Sequence, residues 1–257
     1  MASVELSRAP PRCQCSSHLL GPDTPVFQRR PDNTFVHQPA SPPHPHPDPI
    51  PPGLAVLSDM EAAVVQQTKV SQGTLLQSLF GSNKYDILTP QGHAVFTAIE
   101  STGSITRCCL RNRRPFSIEV FSESEQLAFC MEASLDCFGQ STAVQVPPGN
   151  LFALIDKDFA LFRPSFYIRD HRDNLVFKIS SSIAASIGST KVVHFDVKSV
   201  QDNESVGKIS KQWGGMMTEL FSDADNFAIE FRRDLAESWK AVLLAALFNI
   251  DFTFYES

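Results

Sequence analysis

The sequence predicts a mainly β protein, an antiparallel sandwich or barrel of short strands with one buried helix at the C-terminus. Three observations support this prediction. Ten short apolar or alternating runs recur between residues 84 and 231, turn-forming residues separate them, and the most apolar segment closes the chain. Short strands at regular spacing, joined by turns, are typical of antiparallel sandwiches and barrels.

The predicted strands alternate with period two, as half-buried strands do. In SFYIRD, for example, Phe166 and Ile168 face one side while Tyr167 and Arg169 face the other. The ten runs are KYDIL (84–88), HAVFTAIE (93–100), PFSIEVF (115–121), QLAFCME (126–132), LFALID (151–156), SFYIRD (165–170), NLVFKIS (174–180), VVHFDVKS (192–199), VGKISKQW (206–213) and NFAIEF (226–231).

The first 52 residues differ from the rest in composition. They hold thirteen of the 18 prolines, which favour polyproline II and leave little to pack. We therefore expect a disordered arm over 1–52 and one folded domain over 53–257. PxxP spacing, as from Pro42 to Pro45, suits the aromatic grooves of SH3 or WW-type domains, although a solvated linker is the favoured interpretation.

Overall composition excludes several classes of protein. With a net charge of −6, no global basic field draws the chain to nucleic acid or anionic lipid. No apolar run of signal-peptide length opens the sequence, so secretion is not expected and the six cysteines are expected to be reduced thiols.

The closing segment predicts a buried helix. Asp234 and Glu237 have the spacing of a capping box, and apolar residues fill nearly every position over 241–248. A bilayer span needs about 20 apolar residues, whereas eight residues of helix cover about 12 Å. A helix that is apolar all round fits inside a closed barrel. The alternation in NIDFTFY (249–255) then predicts a last strand.

Several stretches resemble the phospholipid scramblase family in order and spacing. They are KISKQWGGMMTELFSDADNFAIEF (208–231), WKAVLLAALFNIDFTFYE (239–256), NKYDI (83–87), RPFSIEVF (114–121), QVPPG (145–149) and PPGL (51–54). The resemblance covers residues 51–256, and the C-terminal third is its most specific part.

The resemblance implies a tubby-like fold, an antiparallel β barrel of about 12 strands enclosing a hydrophobic C-terminal α-helix. It also implies calcium-activated, ATP-independent, bidirectional movement of phospholipids between membrane leaflets, on the cytoplasmic face of the plasma membrane. The family further carries reports of nuclear entry. The alternative is a non-transporting tubby-like module that binds lipid or protein in a nuclear or signalling role, with cytosolic and nuclear pools.

A calcium site is implied in DADNFAIEFRRD (223–234). Asp223, Asp225 and Asp234 stand at the first, third and twelfth positions of a calcium loop, and Phe227 can offer a backbone carbonyl. Ala228 replaces the usual glycine at the sixth position, so Ca²⁺ binding is expected to be weak. Alternatively, the aspartates are turn residues and Asp234 caps the final helix.

A nuclear-import-like segment and an acylation cluster also follow from the resemblance. The first is Gly207, Lys208, Ile209, Ser210, Lys211, Gln212 and Trp213, which implies importin binding, although a solvated strand face explains its two lysines equally. The family's cysteine-rich cluster is reduced here to Cys137, which is therefore a candidate for palmitoylation, and membrane attachment is expected to be weaker than in the family.

A second attachment signal is available upstream of the predicted strand at 115–121. Cys108 and Cys109 are acylation candidates, and they lie next to Arg111, Arg113 and Arg114. One acyl chain anchors only marginally, and a basic cluster adds about 1 kcal/mol per charge at an anionic surface. A solvated loop is the alternative interpretation.

No catalytic set stands out in the sequence. His93, His171 and His194 are scattered over predicted strands and turns, and no nucleophile is paired with one. We therefore expect a lipid-translocating or binding protein that is not an enzyme, and that acts at a phospholipid membrane, with oligomerisation open.

Overall fold

A computed structural model describes residues 50–51, 53–68, 83–101, 115–136, 139–158, 165–182, 193–211 and 227–254. These residues contain a short 3-10 helix (Ala55–Leu57), twelve strands and one helix, α1 (Glu237–Phe254). The strands are β1 (Ala62–Gln67), β2 (Lys84–Leu88), β3 (Ala94–Glu100), β4 (Phe116–Ser122), β5 (Leu127–Asp136), β6 (Gly139–Gln145), β7 (Leu151–Asp158), β8 (Ser165–Asp170), β9 (Leu175–Ser182), β10 (Val193–Ser199), β11 (Ser205–Lys211) and β12 (Phe227–Phe231).

The strands form a closed antiparallel barrel in which each strand pairs with its neighbours in sequence. The last strand, β12, closes the barrel by pairing with β1, where Ala228 lies opposite Val64. Because every described strand is hydrogen-bonded on both sides, the barrel has no open edge. The predicted fold class, a mainly β barrel of about 12 strands around a C-terminal helix, is confirmed.

Helix α1 fills the barrel. Every residue from Ala241 to Phe248 is buried, as is Ile250. Near its start, the Trp239 ring packs edge-on against Phe152 and Phe177, with ring centroids 4.8 and 5.1 Å away. The predicted burial of an all-round apolar helix is therefore confirmed.

The far end of α1 is held by the opposite side of the barrel. The Phe252 ring packs edge-on against Phe116 at 4.7 Å, and Phe248 packs edge-on against Tyr85 at 5.3 Å. Aromatic contacts at both ends fix the helix along the barrel axis. Such pairs add about 0.5–1.5 kcal/mol each beyond the area that they bury.

One glycine lies too close to the neighbouring strand to carry a side chain. A Cβ atom at Gly207 would lie 2.7 Å from the backbone oxygen of Glu230 on β12, whereas Cδ1 of Leu243 on α1 would be at an ordinary contact distance of 3.4 Å. Gly207 on β11 therefore avoids a collision with the β12 backbone.

Two local expectations were wrong. The segment predicted as a last strand instead continues α1 to Phe254. Inside the barrel, Ile250 and Phe252 are buried among apolar side chains, so burying them does not require the chain to leave the helix. Asp234 is not the helix cap, because α1 begins three residues later, at Glu237. Its carboxylate instead accepts a hydrogen bond from Nε of Arg232 at 2.6 Å.

Candidate functional site

The barrel has two ends, which differ in what they carry. The start rim is the end at which α1 begins; it contains Glu61, Gln145, Leu151 and Phe231. The end rim is the opposite end, where α1 ends near Tyr85 and Phe116. Because neighbouring strands are antiparallel, alternate connections along the chain lie at alternate rims.

The four proposed calcium ligands are only partly described. Asp223 and Asp225 lie outside the described residues. Phe227 opens β12 at the end rim, whereas Asp234 follows the last residue of β12 at the start rim. Four strand steps separate Phe227 from Phe231, or about 13 Å, so the structure does not bring Phe227 and Asp234 together.

The position of Ala228 also differs from that of the sixth residue of a calcium loop. Ala228 is the second residue of β12 and faces outward from the barrel, where it forms a small buried cluster with Val64 and Leu88. A residue in an extended, doubly paired strand has no need of the sharp turn for which calcium loops use glycine.

The described part of the import-like segment is strand β11. Gly207, Ile209 and Ser210 are buried, Lys208 is half-buried, and the Lys211 amine lies 5.3 Å from the ring centre of Phe227. The strand is paired with β10 and with β12 along its length. An importin that reads an extended peptide would therefore have to detach β11 from the barrel. Gln212 and Trp213 lie outside the described residues.

The candidates for acylation and lipid contact all lie outside the described residues: Cys108, Cys109, Arg111, Arg113, Arg114 and Cys137. The described strands that flank them do have a definite position. Strands β3 and β4 flank segment 102–114, β5 and β6 flank 137–138, and all four meet these segments at the end rim.

The start rim contains a contact network that sequence reasoning missed. Lys240, one turn into α1, is completely buried, and its Nζ donates to the carbonyl oxygens of Leu57 at 2.8 Å and Ser58 at 3.0 Å. A longer contact of 3.4 Å reaches the carbonyl of Arg233. Three acceptors match the three protons of an ammonium group, so this buried charge is satisfied.

A second contact joins the same two elements. The hydroxyl of Ser58 donates to Oε1 of Glu237 at 2.6 Å. Burial lowers the pKa of the Lys240 amine, while the carboxylates of Glu237 and Asp59 oppose that shift. The network therefore joins the chain just before β1 to the first turn of α1 through a cation and an anion on one helix face.

Asn249 of α1 makes a polar contact with the wall of the barrel. The Asn249 side chain is buried, and its Nδ2 donates to Oγ1 of Thr142 on β6 at 2.8 Å. The Oδ1 atom of Asn249 and the hydroxyl of Thr253 are buried without a hydrogen-bond partner. A buried polar pair of this kind fixes the rotation of an otherwise uniformly apolar helix.

In the described part of the chain, no group of three or more His, Cys, Asp or Glu side chains has the geometry to hold a metal ion. Within the same residues, no helix is sufficiently long and apolar to cross a lipid bilayer.

A closed antiparallel barrel filled by an apolar C-terminal helix defines the structural class of this protein. The family model described as Scramblase matches residues 40–257. The chain therefore belongs to the scramblase family.

Individual relatives agree with the family model. The chain is 36% identical to human phospholipid scramblase 1 over 219 residues, covering 80% of this chain and 67% of that protein. Bovine phospholipid scramblase 2 is 35% identical over 216 residues, covering 80% and 72%. Human phospholipid scramblase family member 5 is 30% identical over 218 residues, covering 80% and 78%. No solved structure matches the chain significantly.

Proposed function

We propose that this protein is a phospholipid scramblase that moves phospholipids in both directions between membrane leaflets, activated by calcium and without ATP. The observation that carries the proposal is the scramblase family match over residues 40–257, a range that includes all twelve described strands of the barrel and α1. The proposed activity involves no covalent step, so the protein would act as a lipid transporter and not as an enzyme.

The filled barrel constrains how lipid can move. Because buried side chains occupy the described interior along α1, a polar headgroup has no described path through the closed barrel. A desolvated phosphate would be costly against such apolar walls. Lipid movement therefore requires either an opening of the barrel or a route along its outer surface, including one between copies in an oligomer.

Membrane attachment is proposed at the end rim. Acylation of Cys137, with Cys108 or Cys109 as a second site, would act together with Arg111, Arg113 and Arg114. The flanking strands all meet these segments at one rim, which allows the signals to act on one membrane surface. Two signals suffice for stable anchoring where one does not. The proposed location is the cytoplasmic face of the plasma membrane, with cytosolic and nuclear pools when acylation is incomplete.

Calcium activation is proposed to act through Asp223 and Asp225, next to the start of β12 at Phe227. Asp234, at the other rim and bonded to Arg232, is a poor partner for them. We therefore expect the paired Asp223→Ala, Asp225→Ala variant to lose calcium dependence. Asp234→Ala, the matched control, should keep it.

Reconstitution tests the proposal. Purified full-length protein is placed in vesicles that carry a fluorescent phospholipid in both leaflets, and accessible label is reduced with dithionite. We expect loss of label beyond half in calcium without ATP, and less without calcium. If the signal stops at the outer-leaflet half under every condition, the protein does not scramble lipid.

That negative result would favour the alternative, a barrel that binds anionic lipid or protein without moving lipid. Fractionation of cells that express the chain separates the two further. A binding module is released by high salt, whereas an acylated scramblase needs detergent. Docking of SH3 or WW-type domains on the proline-rich arm, and importin binding, stay predictions.

A further inference from the structure

Residues 53–60, which we call the strap, differ from the barrel in how their backbone is bonded. Leu57 N donates to Leu54 O, Ser58 N to Ala55 O, and Met60 N to Leu57 O, at 2.9 to 3.2 Å. In each of these hydrogen bonds, both the donor and the acceptor belong to the strap. The ladder of the barrel begins only at Glu61, whose carbonyl accepts from Phe231 N at 2.7 Å.

The strap nevertheless closes the start rim. Leu54 and Leu57 are completely buried among the core side chains, and Met60 is nearly so. At the other end of the strap, a Cβ atom at Gly53 would lie 3.1 Å from Cβ of Ala128 on β5. The strap therefore spans from β5 to α1 and covers the apolar mouth of the barrel.

Two side chains from one face of α1 bond the strap to the helix. Lys240 donates to the carbonyls of Leu57 and Ser58, and Glu237 accepts from the Ser58 hydroxyl. Those carbonyls lie at the end of the 3-10 helix. The Leu57 carbonyl also accepts from Met60 N, and the ammonium binds both carbonyls as a cation does at a helix C-terminus.

We propose that the strap is a releasable closure of the barrel, fastened by Lys240, and that its release opens the start rim to a lipid acyl chain while the strands stay paired. The strands share a continuous ladder and open together, whereas the strap is held by side-chain contacts and burial alone. Segments bonded in this way open at lower free energy than the whole molecule. The acyl-chain part rests on the proposed scramblase function; the release of the strap does not.

Amide hydrogen exchange of the full-length protein tests the release. Lys240→Met keeps an unbranched side chain as far as the Cε position and removes the ammonium group with its charge and donors. We expect exchange at residues 54–60 to speed up roughly tenfold to a hundredfold, with exchange in β8 and β9 unchanged. Ser58→Ala, which should fold in any case, is expected to give a smaller rise at the same amides. Lys198→Met, an exposed lysine on β10, is the control and should change nothing.

The outcomes separate the two parts of the proposal. If Lys240→Met and Ser58→Ala leave exchange at 54–60 unchanged, or raise it equally in every strand, the strap is not a separate closure. If the strap amides speed up, dithionite-detected lipid movement is expected to be several-fold faster in both variants than in Lys198→Met. If strap exchange is faster but neither the variants nor the wild type move lipid, the scramblase function is overturned and the release of the strap is still supported.

Discussion

Leu243 and Leu244 are successive residues of α1, so their side chains point about 100° apart around the helix axis. Both are completely buried. A helix that rests on a protein surface exposes part of every turn, whereas every residue from Ala241 to Phe248, more than two turns, is buried here. In a helix enclosed by a barrel, truncation of either one leaves a cavity.

We expect Leu243→Ala and Leu244→Ala each to lower the free energy of unfolding by about 3–5 kcal/mol. Leucine-to-alanine changes in cores cost about 2.7–5 kcal/mol, and the cost is highest where the surroundings cannot collapse into the cavity. Here each surrounding strand is held by neighbours on both sides, which limits collapse. The expected loss is a large part of the about 5–15 kcal/mol of a typical domain.

Urea unfolding followed by circular dichroism measures these losses. The control is Leu151→Ala at the start rim, where the leucine is 38% exposed and its truncation should cost less than about 1 kcal/mol. If both α1 variants unfold at the same urea concentration as the control, α1 does not pack inside the barrel and the reasoning fails.

Three further predictions concern other contacts. Gly207→Ala should lower the free energy of unfolding by about 1–3 kcal/mol because its Cβ would collide with the Glu230 carbonyl, whereas Ser205→Ala on the same strand should have little effect. Thermal unfolding compares the two variants, and equal melting temperatures would contradict the close approach. Asn249→Leu should lower the free energy of unfolding by about 1–3 kcal/mol, because it leaves the buried Thr142 hydroxyl unpaired. Adding Thr142→Val should restore part of that free energy, so strictly additive losses in a double-mutant cycle would argue against the pair. Burial, with Lys208 nearby, lowers the pKa of His194 below its ordinary value of about 6.5. The neutral imidazole therefore contributes stability above that pH, and this contribution is lost as the pH falls further. His194→Gln should weaken the fall in the free energy of unfolding between pH 7 and pH 5, and identical pH profiles of the variant and the wild type would exclude this role.

The strands that could be predicted are those whose outer face meets water. SFYIRD alternates because Phe166 and Ile168 face the core, and its observed bounds are the predicted ones. Strand β1 was missed because Ala62, Ala63, Val64 and Val65 are all buried, which removes the alternation. Strand β6 was missed because its residues are mostly small and polar, with little β-propensity signal.

The end of α1 shows the opposite difficulty. Ile250, Phe252 and Phe254 alternate with polar residues as in a strand, yet they belong to a helix. Hydrophobic periodicity identifies structure only when one side of an element meets solvent. Enclosure removes that contrast, so a short alternating run after an apolar helix carries no information about where the helix ends.

The strap and Lys240, the α1 residue that binds it, were also missed, although both have recognisable features in the sequence. Leu54, Leu57 and Met60 recur at every third position, which is the period of a 3-10 helix with one buried side. Lys240 interrupts an otherwise apolar segment, and a lysine there needs acceptors. Sequence alone does not say which carbonyls supply them, because Leu57 and Ser58 lie about 180 residues away along the chain.

The burial of α1 within the barrel is tested most directly by the fluorescence of Trp239. The chain has two tryptophans, and Trp213→Phe leaves Trp239 as the single reporter, 7% exposed and packed between Phe152 and Phe177. With this variant bound to vesicles whose acyl chains carry bromine, we expect no quenching of Trp239 relative to unbrominated vesicles. Strong quenching in this variant, in which Lys240 is intact and holds the strap closed over the start rim, would place the start of α1 among lipid chains and contradict an enclosed helix.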